Sequence, residues 1–229
     1  MISCPAADTA YRIQTVNDAL KKRIPNFVTI LRIFIAAAFF AALSGFRFPG
    51  HGVLWGNIAI ALFVIAATTD FIDGYLARRW DAESMFGRIM DPFCDKVLVL
   101  GAFIFYAGPR FSVPEWIAED HLMTMATGVY PWMVVLLIAR ELLVTAIRDI
   151  LESKGYNGGA KWAGKAKMIL QSFAVPLVLL LVVNCRPDKH ESVMTLINIL
   201  IWLMLIVTLW SGLPYITGLR HVLRQKSDD

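Results

Sequence analysis

Six apolar stretches dominate the chain, running over residues 27–43, 53–69, 97–107 with an apolar lead-in from Phe86, 129–147, 168–184 and 193–219. A helix that crosses the hydrocarbon core of a bilayer needs about 20 residues, so 229 residues leave room for about six crossings joined by short connections. The composition agrees: 57% of residues are hydrophobic and 17% charged, against about 45–50% and about 25% in soluble domains. That balance excludes a disordered chain and a basic nucleic-acid-binding arm, and it leaves no length for a sizeable domain outside the membrane. The expected fold is an all-α integral membrane bundle of six transmembrane helices over residues 25–219. A segment 1–24 precedes it and a short tail 220–229 follows. Within the first segment, residues 11–23 suit either a short amphipathic helix lying at the interface or a merely polar tail. No apolar run precedes the basic cluster there, so it does not read as a cleaved secretory signal. Cys4, Cys94 and Cys185 are too few and too scattered for a disulfide framework or a thiolate metal site.

Gly- and Pro-bearing segments separate the stretches: GFRFPGHG, GPRFSVPEW, ESKGYNGGAKWAG and CRPDKHE. Lysines and arginines crowd into alternate connections and both ends, whereas the intervening connections carry only Arg47, Arg110, Arg186 and Lys189. By the positive-inside rule both termini face the cytoplasm, together with the second-to-third and fourth-to-fifth connections. The expected location is the cell's inner membrane, with the working face on the cytoplasmic side. Trp80, Trp116, Trp132 and Trp162 fall near the expected interfaces, as an aromatic belt would place them.

Residues 70–96 read DFIDGYLARRWDAESMFGRIMDPFCDK. An aspartate inside a spanning helix is costly and marks a functional site by default, and here Asp70, Asp73, Asp91 and Asp95 fall in two successive spans. At 100° per residue Asp73 lies about 60° from Asp70, with Gly74, Ala77 and Arg78 in the same broad stripe, while Gly87, Asp91 and Asp95 recur every four residues along one stripe of the next helix. A short turn joins the two helices, so the carboxylates should converge at one depth. Four like charges in a poorly hydrated pocket need neutralising cations. An all-oxygen set suits magnesium, manganese or calcium rather than zinc, and paired hard cations can clamp the attacking and leaving oxygens of a phosphoryl displacement. Gly74, Ala77 and Gly87 leave a groove for a phosphate-bearing ligand, or serve close helix packing.

The run D70-x2-D73-G74-x2-A77-R78-x8-G87-x3-D91-x3-D95 resembles the complete signature of the CDP-alcohol phosphatidyltransferase family. The resemblance implies six transmembrane helices, a homodimer, a cytoplasm-facing cavity and two divalent cations, Mg²⁺ or Mn²⁺. It implies that Asp70, Asp73 and Asp91 are metal ligands, and that Asp95 is the base that deprotonates the acceptor hydroxyl and also touches metal. Gly74, Ala77, Arg78 and Gly87 would then contact the nucleotide of CDP-diacylglycerol. A carboxylate in reach of a hydroxyl is what such a reaction requires, because a neutral hydroxyl is a poor nucleophile.

Flanking segments bear on the acceptor. The first span opens PNFVTILRI, which sets Asn26, Thr29 and Arg32 on one polar face; these join the expected CDP-diacylglycerol contacts, Arg32 facing the cavity rather than snorkelling. IARELLVTAIRDI carries Arg140 and Arg148, and AKWAGKAKMILQ carries Lys165 and Lys167. Cations around an inner cavity suit an anionic acceptor, although Arg148 and the lysines also fit simple anchoring to anionic headgroups. The three segments are similar to those of the phosphatidylglycerophosphate-forming branch of the family. That similarity implies transfer of a phosphatidyl group to sn-glycerol 3-phosphate with release of CMP, and Arg140, Arg148, Lys165 and Lys167 as acceptor-phosphate contacts. Inositol phosphate and phosphatidylglycerol are the alternative acceptors, and membrane lipid is the remaining partner. An ion transporter would also place aspartates and glycines in spans, but it should show a repeated pair of interrupted helices, and the four aspartates here belong to one contiguous motif.

Overall fold

Each apolar stretch becomes a helix in the computed structural model, which describes residues 30–80, 85–119, 124–153 and 162–218. Helix α1 covers Ile30–Gly45. It is followed by α2 (Val53–Trp80), α3 (Met85–Tyr106), the short α4 (Pro114–Ala118), α5 (Pro131–Ser153), α6 (Trp162–Cys185) and α7 (Glu191–Trp210). A further helical segment occupies 213–218. No strand occurs among the described residues, and isolated bridges join only Arg47 to His51 and Ser112 to Met125.

Val53–Asp70, Ala166–Cys185 and Glu191–Gly218 are each long and apolar enough to cross a membrane. Helices α3 and α5, of 22 and 23 residues, reach about 33 to 35 Å at 1.5 Å per residue, which matches a hydrocarbon core of about 30 Å. Their own charges, Asp91, Asp95 and Lys96 in one and Arg140, Glu141 and Arg148 in the other, keep them from reading as plain apolar spans. Phe34, Leu142, Phe173, Ile206 and Trp210 stay well exposed on the outside of the bundle. Such a surface is stable against lipid and would associate in water. The described residues form the helical bundle of a membrane protein.

Helix α6 is the central post. Its Ala174, Val175, Val178, Leu179 and Val182 are wholly buried, and it packs against α2, α3 and α7. Small residues permit the close approaches: a Cβ on Gly56 of α2 would come within 2.7 Å of Val183 of α6, and one on Gly101 of α3 within 2.3 Å of the Phe40 ring of α1. Beside Gly56, Asn57 and Asn184 exchange amide hydrogen bonds of 3.4 and 3.0 Å between α2 and α6. At the core, the Tyr106 hydroxyl donates to the Val175 carbonyl at 2.8 Å, so a buried phenol is satisfied where no water reaches.

The α1–α2, α3–α5 and α6–α7 connections meet at one end of the bundle. The Phe48 amide donates to the Arg110 carbonyl at 2.8 Å, and the Arg186 guanidinium lies 5.9 Å from the Phe48 ring centre. Gly52 makes the first of these turns possible: its φ is +76°, and any Cβ would fall 2.3 Å from the Gly45 carbonyl oxygen. Arg186 also forks onto Asp188 at 3.1 and 2.8 Å, which holds that carboxyl below the usual carboxylate range. The support this pair gives is therefore present at neutral pH and fades as pH falls through the lowered value. Toward the opposite end lie the charged portions of α2, α3, α5 and α6.

Candidate active site

There the helices part around a cavity of about 570 Å³. Helix α2 contributes Asp70, α3 contributes Asp95 and Lys96, α5 contributes Arg140, Glu141, Thr145 and Arg148, and α6 contributes Lys167, Gln171 and Ser172. Tyr215 adds an edge from the segment after α7.

The first wall is acidic. Asp70 and Asp95 both line the cavity and also share a small side pocket with Arg32. Arg32 is 2% exposed, and its Nη1 lies 2.7 Å from an Asp70 carboxylate oxygen. A guanidinium at this depth is retained because a carboxylate answers it. The ion pair therefore ties α1 to α2 at the level of the aspartates.

The second wall is cationic and densely bonded. Arg140 spends its whole fork on protein partners: Nε donates to the Thr208 carbonyl at 3.0 Å, one Nη donates to Glu141 at 2.8 Å, and the other donates to the Ser211 hydroxyl at 2.5 Å. Lys167 of α6 also donates to Glu141. Arg140, Glu141 and Lys167 are 8%, 7% and 7% exposed. Two cations thus share one carboxylate, which leaves this buried cluster one positive charge in excess. Gln171 donates to the Thr208 hydroxyl at 3.4 Å and extends the network to α7. Arg148, further along α5, is exposed and pairs with Glu152 at 2.9 Å.

Of the residues singled out from the sequence, Asp70, Asp95, Arg140, Arg148 and Lys167 line one cavity, and Arg32 adjoins it. Asp73, Gly74, Ala77 and Arg78 belong to α2, and Gly87 and Asp91 to α3; their side chains lie outside the described residues, as does that of Lys165 in α6. Asn26 and Thr29 fall outside the described residues altogether. Sequence reasoning gave no role to Lys96, Thr145, Gln171, Thr208, Ser211 or to Glu141 as the hub between two cations. A signal existed for some of them. Lys96 is an ionisable residue at the head of an apolar run, and Thr208 and Ser211 form a polar step where the apolar run 199–207 ends.

The Asp70 and Asp95 carboxylates offer oxygen donors only, the donor chemistry that hard divalent cations select. Among the described residues no group of three or more His, Cys, Asp or Glu is gathered as a metal site. The two described aspartates fit such a site and need further oxygens to complete it.

The CDP-alcohol phosphatidyltransferase family model matches residues 22–210, which takes in the aspartate run and both walls of the cavity. Among curated proteins, the chain is 31% identical to a CDP-diacylglycerol–glycerol-3-phosphate 3-phosphatidyltransferase of Sodalis glossinidius over 88% of its own length and 97% of that protein. It is 31% identical to the enzyme of the same name from Escherichia coli K12 over 86% of this chain and 94% of that protein. A Cereibacter sphaeroides protein of that name is 33% identical, the alignment spanning 64% of this chain and 60% of the relative. Signature, helical membrane architecture and a match running almost end to end lead to one conclusion: the chain belongs to the CDP-alcohol phosphatidyltransferase family.

Proposed function

We propose that the protein transfers the phosphatidyl group of CDP-diacylglycerol to sn-glycerol 3-phosphate, forming phosphatidylglycerophosphate and CMP. The observation that carries this reading is the pairing of an acidic wall, Asp70 with Asp95, and a cation-rich wall, Arg140 with Lys167, across one cavity between the helices. The relatives' names supply the two substrates.

In this reading Asp95 accepts the proton of the acceptor hydroxyl as its oxygen bonds to the phosphorus that carries diacylglycerol. The bond from that phosphorus to the CMP oxygen breaks, and CMP leaves with the electron pair. Asp70, Asp73 and Asp91, with Asp95, would hold two divalent cations, Mg²⁺ or Mn²⁺, which stabilise charge on the diphosphate when bound. Arg32 fixes the Asp70 carboxylate through their ion pair. The excess positive charge of the Arg140–Glu141–Lys167 cluster attracts the acceptor phosphate, with Arg148, which lines the cavity, and Lys165 as further contacts. Asn26, Thr29, Gly74, Ala77, Arg78 and Gly87 would receive the nucleotide.

Six crossings, cytoplasmic termini, an inner-membrane location with the cavity open to the cytoplasm, and a homodimer complete the proposal. The alternation of basic connections supports the orientation. Purified protein in detergent with magnesium and CDP-diacylglycerol is expected to release CMP when sn-glycerol 3-phosphate is supplied. Release only with inositol phosphate or phosphatidylglycerol would overturn the acceptor assignment, and no release with any acceptor would overturn the reaction.

A further inference from the structure

The polar cavity has an apolar neighbour. A groove of about 490 Å³ runs along the outside of the bundle between α3 and α5. Gly101 leaves space for the Phe40 ring at its floor, and Val97, Ile104 and Leu142 form its sides. Lys96 lines both the groove and the cavity, so the two spaces join beside it.

Lys96 differs from the other described cations around the cavity. Arg32 pairs with Asp70, Arg140 and Lys167 with Glu141, and Arg148 with Glu152. The Lys96 ammonium instead donates to the Thr145 hydroxyl at 2.7 Å, and that hydroxyl donates its own hydrogen bond to the Glu141 backbone carbonyl at 2.8 Å. Among the described residues no carboxylate forms an ion pair with it: Glu141, which lines both spaces beside it, is engaged by Arg140 and Lys167. An ammonium carries three donors, and holding one at membrane depth without a counter-ion is costly. The fold nevertheless sets it at the seam between a polar chamber and a hydrocarbon-lined channel.

We propose that Lys96 binds the phosphate of the lipid substrate while one of that lipid's acyl chains lies in the α3–α5 groove. An anion joined directly to a hydrocarbon tail is the ligand whose two halves match the two spaces. A free phosphate monoester would use the ammonium and leave the groove without a purpose. The assignment rests on the proposed reaction for the identity of the lipid, CDP-diacylglycerol, and adds a lipid-side contact outside the aspartate signature.

Two measurements test it. In mixed micelles, Lys96→Gln should raise the KM for CDP-diacylglycerol about tenfold, the scale of a lost hydrogen bond to a charged group, and leave the KM for sn-glycerol 3-phosphate within about twofold. Lys96→Arg should recover most of the loss. A rise confined to the glycerol phosphate KM would assign Lys96 to the acceptor, and no change in either would remove it from the site. Independently of turnover, a phosphatidic acid with a diazirine on one acyl chain should label the α3 and α5 groove residues of the wild-type protein. The labelling should fall severalfold in Lys96→Gln and be competed by unlabelled phosphatidic acid but not by sn-glycerol 3-phosphate. Labelling that maps elsewhere, or that is equal in the two proteins, would overturn the proposal even if CMP release succeeds. Labelling as described without CMP release would uphold the lipid site and sink only the reaction.

Discussion

Two side chains concentrate the chemistry at the residue scale. Asp95 lines both the main cavity and the side pocket that holds Arg32 and Asp70. If Asp95 is the general base, as proposed, Asp95→Asn keeps the shape and removes the proton acceptor, so the rate of CMP release should fall by about 10² to 10⁴. A variant running at the full rate would transfer that role to another group. Glu141 is the other. It separates Arg140 from Lys167, and Glu141→Gln would leave two buried cations facing each other across an amide. Breaking a buried ionic cluster in this way costs on the order of 3 to 5 kcal/mol, which should appear as a clear fall in Tm in detergent. An unchanged Tm would mean that Glu141 is not the keystone of the cationic wall. The hub role was invisible in the sequence because Glu141 and Lys167 are 26 positions apart, and only the packing of α5 against α3 and α7, with α6 behind, brings them into contact.

At the scale of elements, apolar runs were legible where nothing charged interrupted them. The fifth stretch, read as 168–184, is the greater part of α6, and the second, read as 53–69, is the apolar portion of α2. Both extend further through polar residues, to Trp162 at the start of α6 and to Trp80 at the end of α2, because helix hydrogen bonding continues where hydropathy stops. The last stretch, read as continuous to 219, instead breaks at Ser211 and Gly212 before resuming at 213. There the Ser211 hydroxyl donates back to the Thr208 carbonyl and serves Arg140, so the break belongs to the site. The short α4 was missed: five residues opened by Pro114 carry no periodicity. Lateral pairing was equally hidden, and the Asn57–Asn184 exchange between α2 and α6 is its clearest case. Asn57→Leu and Asn184→Leu, singly and together, should give a coupling energy of about 0.6 to 1.7 kcal/mol in a double-mutant unfolding cycle, the range for polar contacts between membrane helices. Strict additivity would show that the amides do not hold these helices together.

On the scale of the whole molecule, the bundle has two unlike ends. One gathers the sparsely basic connections around Phe48, Arg110 and Arg186, and the other opens the cavity among the ionisable portions of four helices. In the proposed orientation, which rests on the positive-inside rule, the second end faces the cytoplasm. In a chain whose three cysteines are replaced by serine, Lys189→Cys should react with a membrane-impermeant maleimide in intact cells. Reaction only after permeabilisation would invert the orientation.

The central claim is that the two walls of one cavity join a lipid-borne phosphoryl group to a water-soluble phosphate. Supplying labelled sn-glycerol 3-phosphate with CDP-diacylglycerol and following the label into chloroform-soluble product tests this directly. The account predicts one label transferred per CMP released, with both lost together in Asp95→Asn. CMP released without label entering the lipid would mean that water is the acceptor, and it would contradict the assignment of the cationic wall.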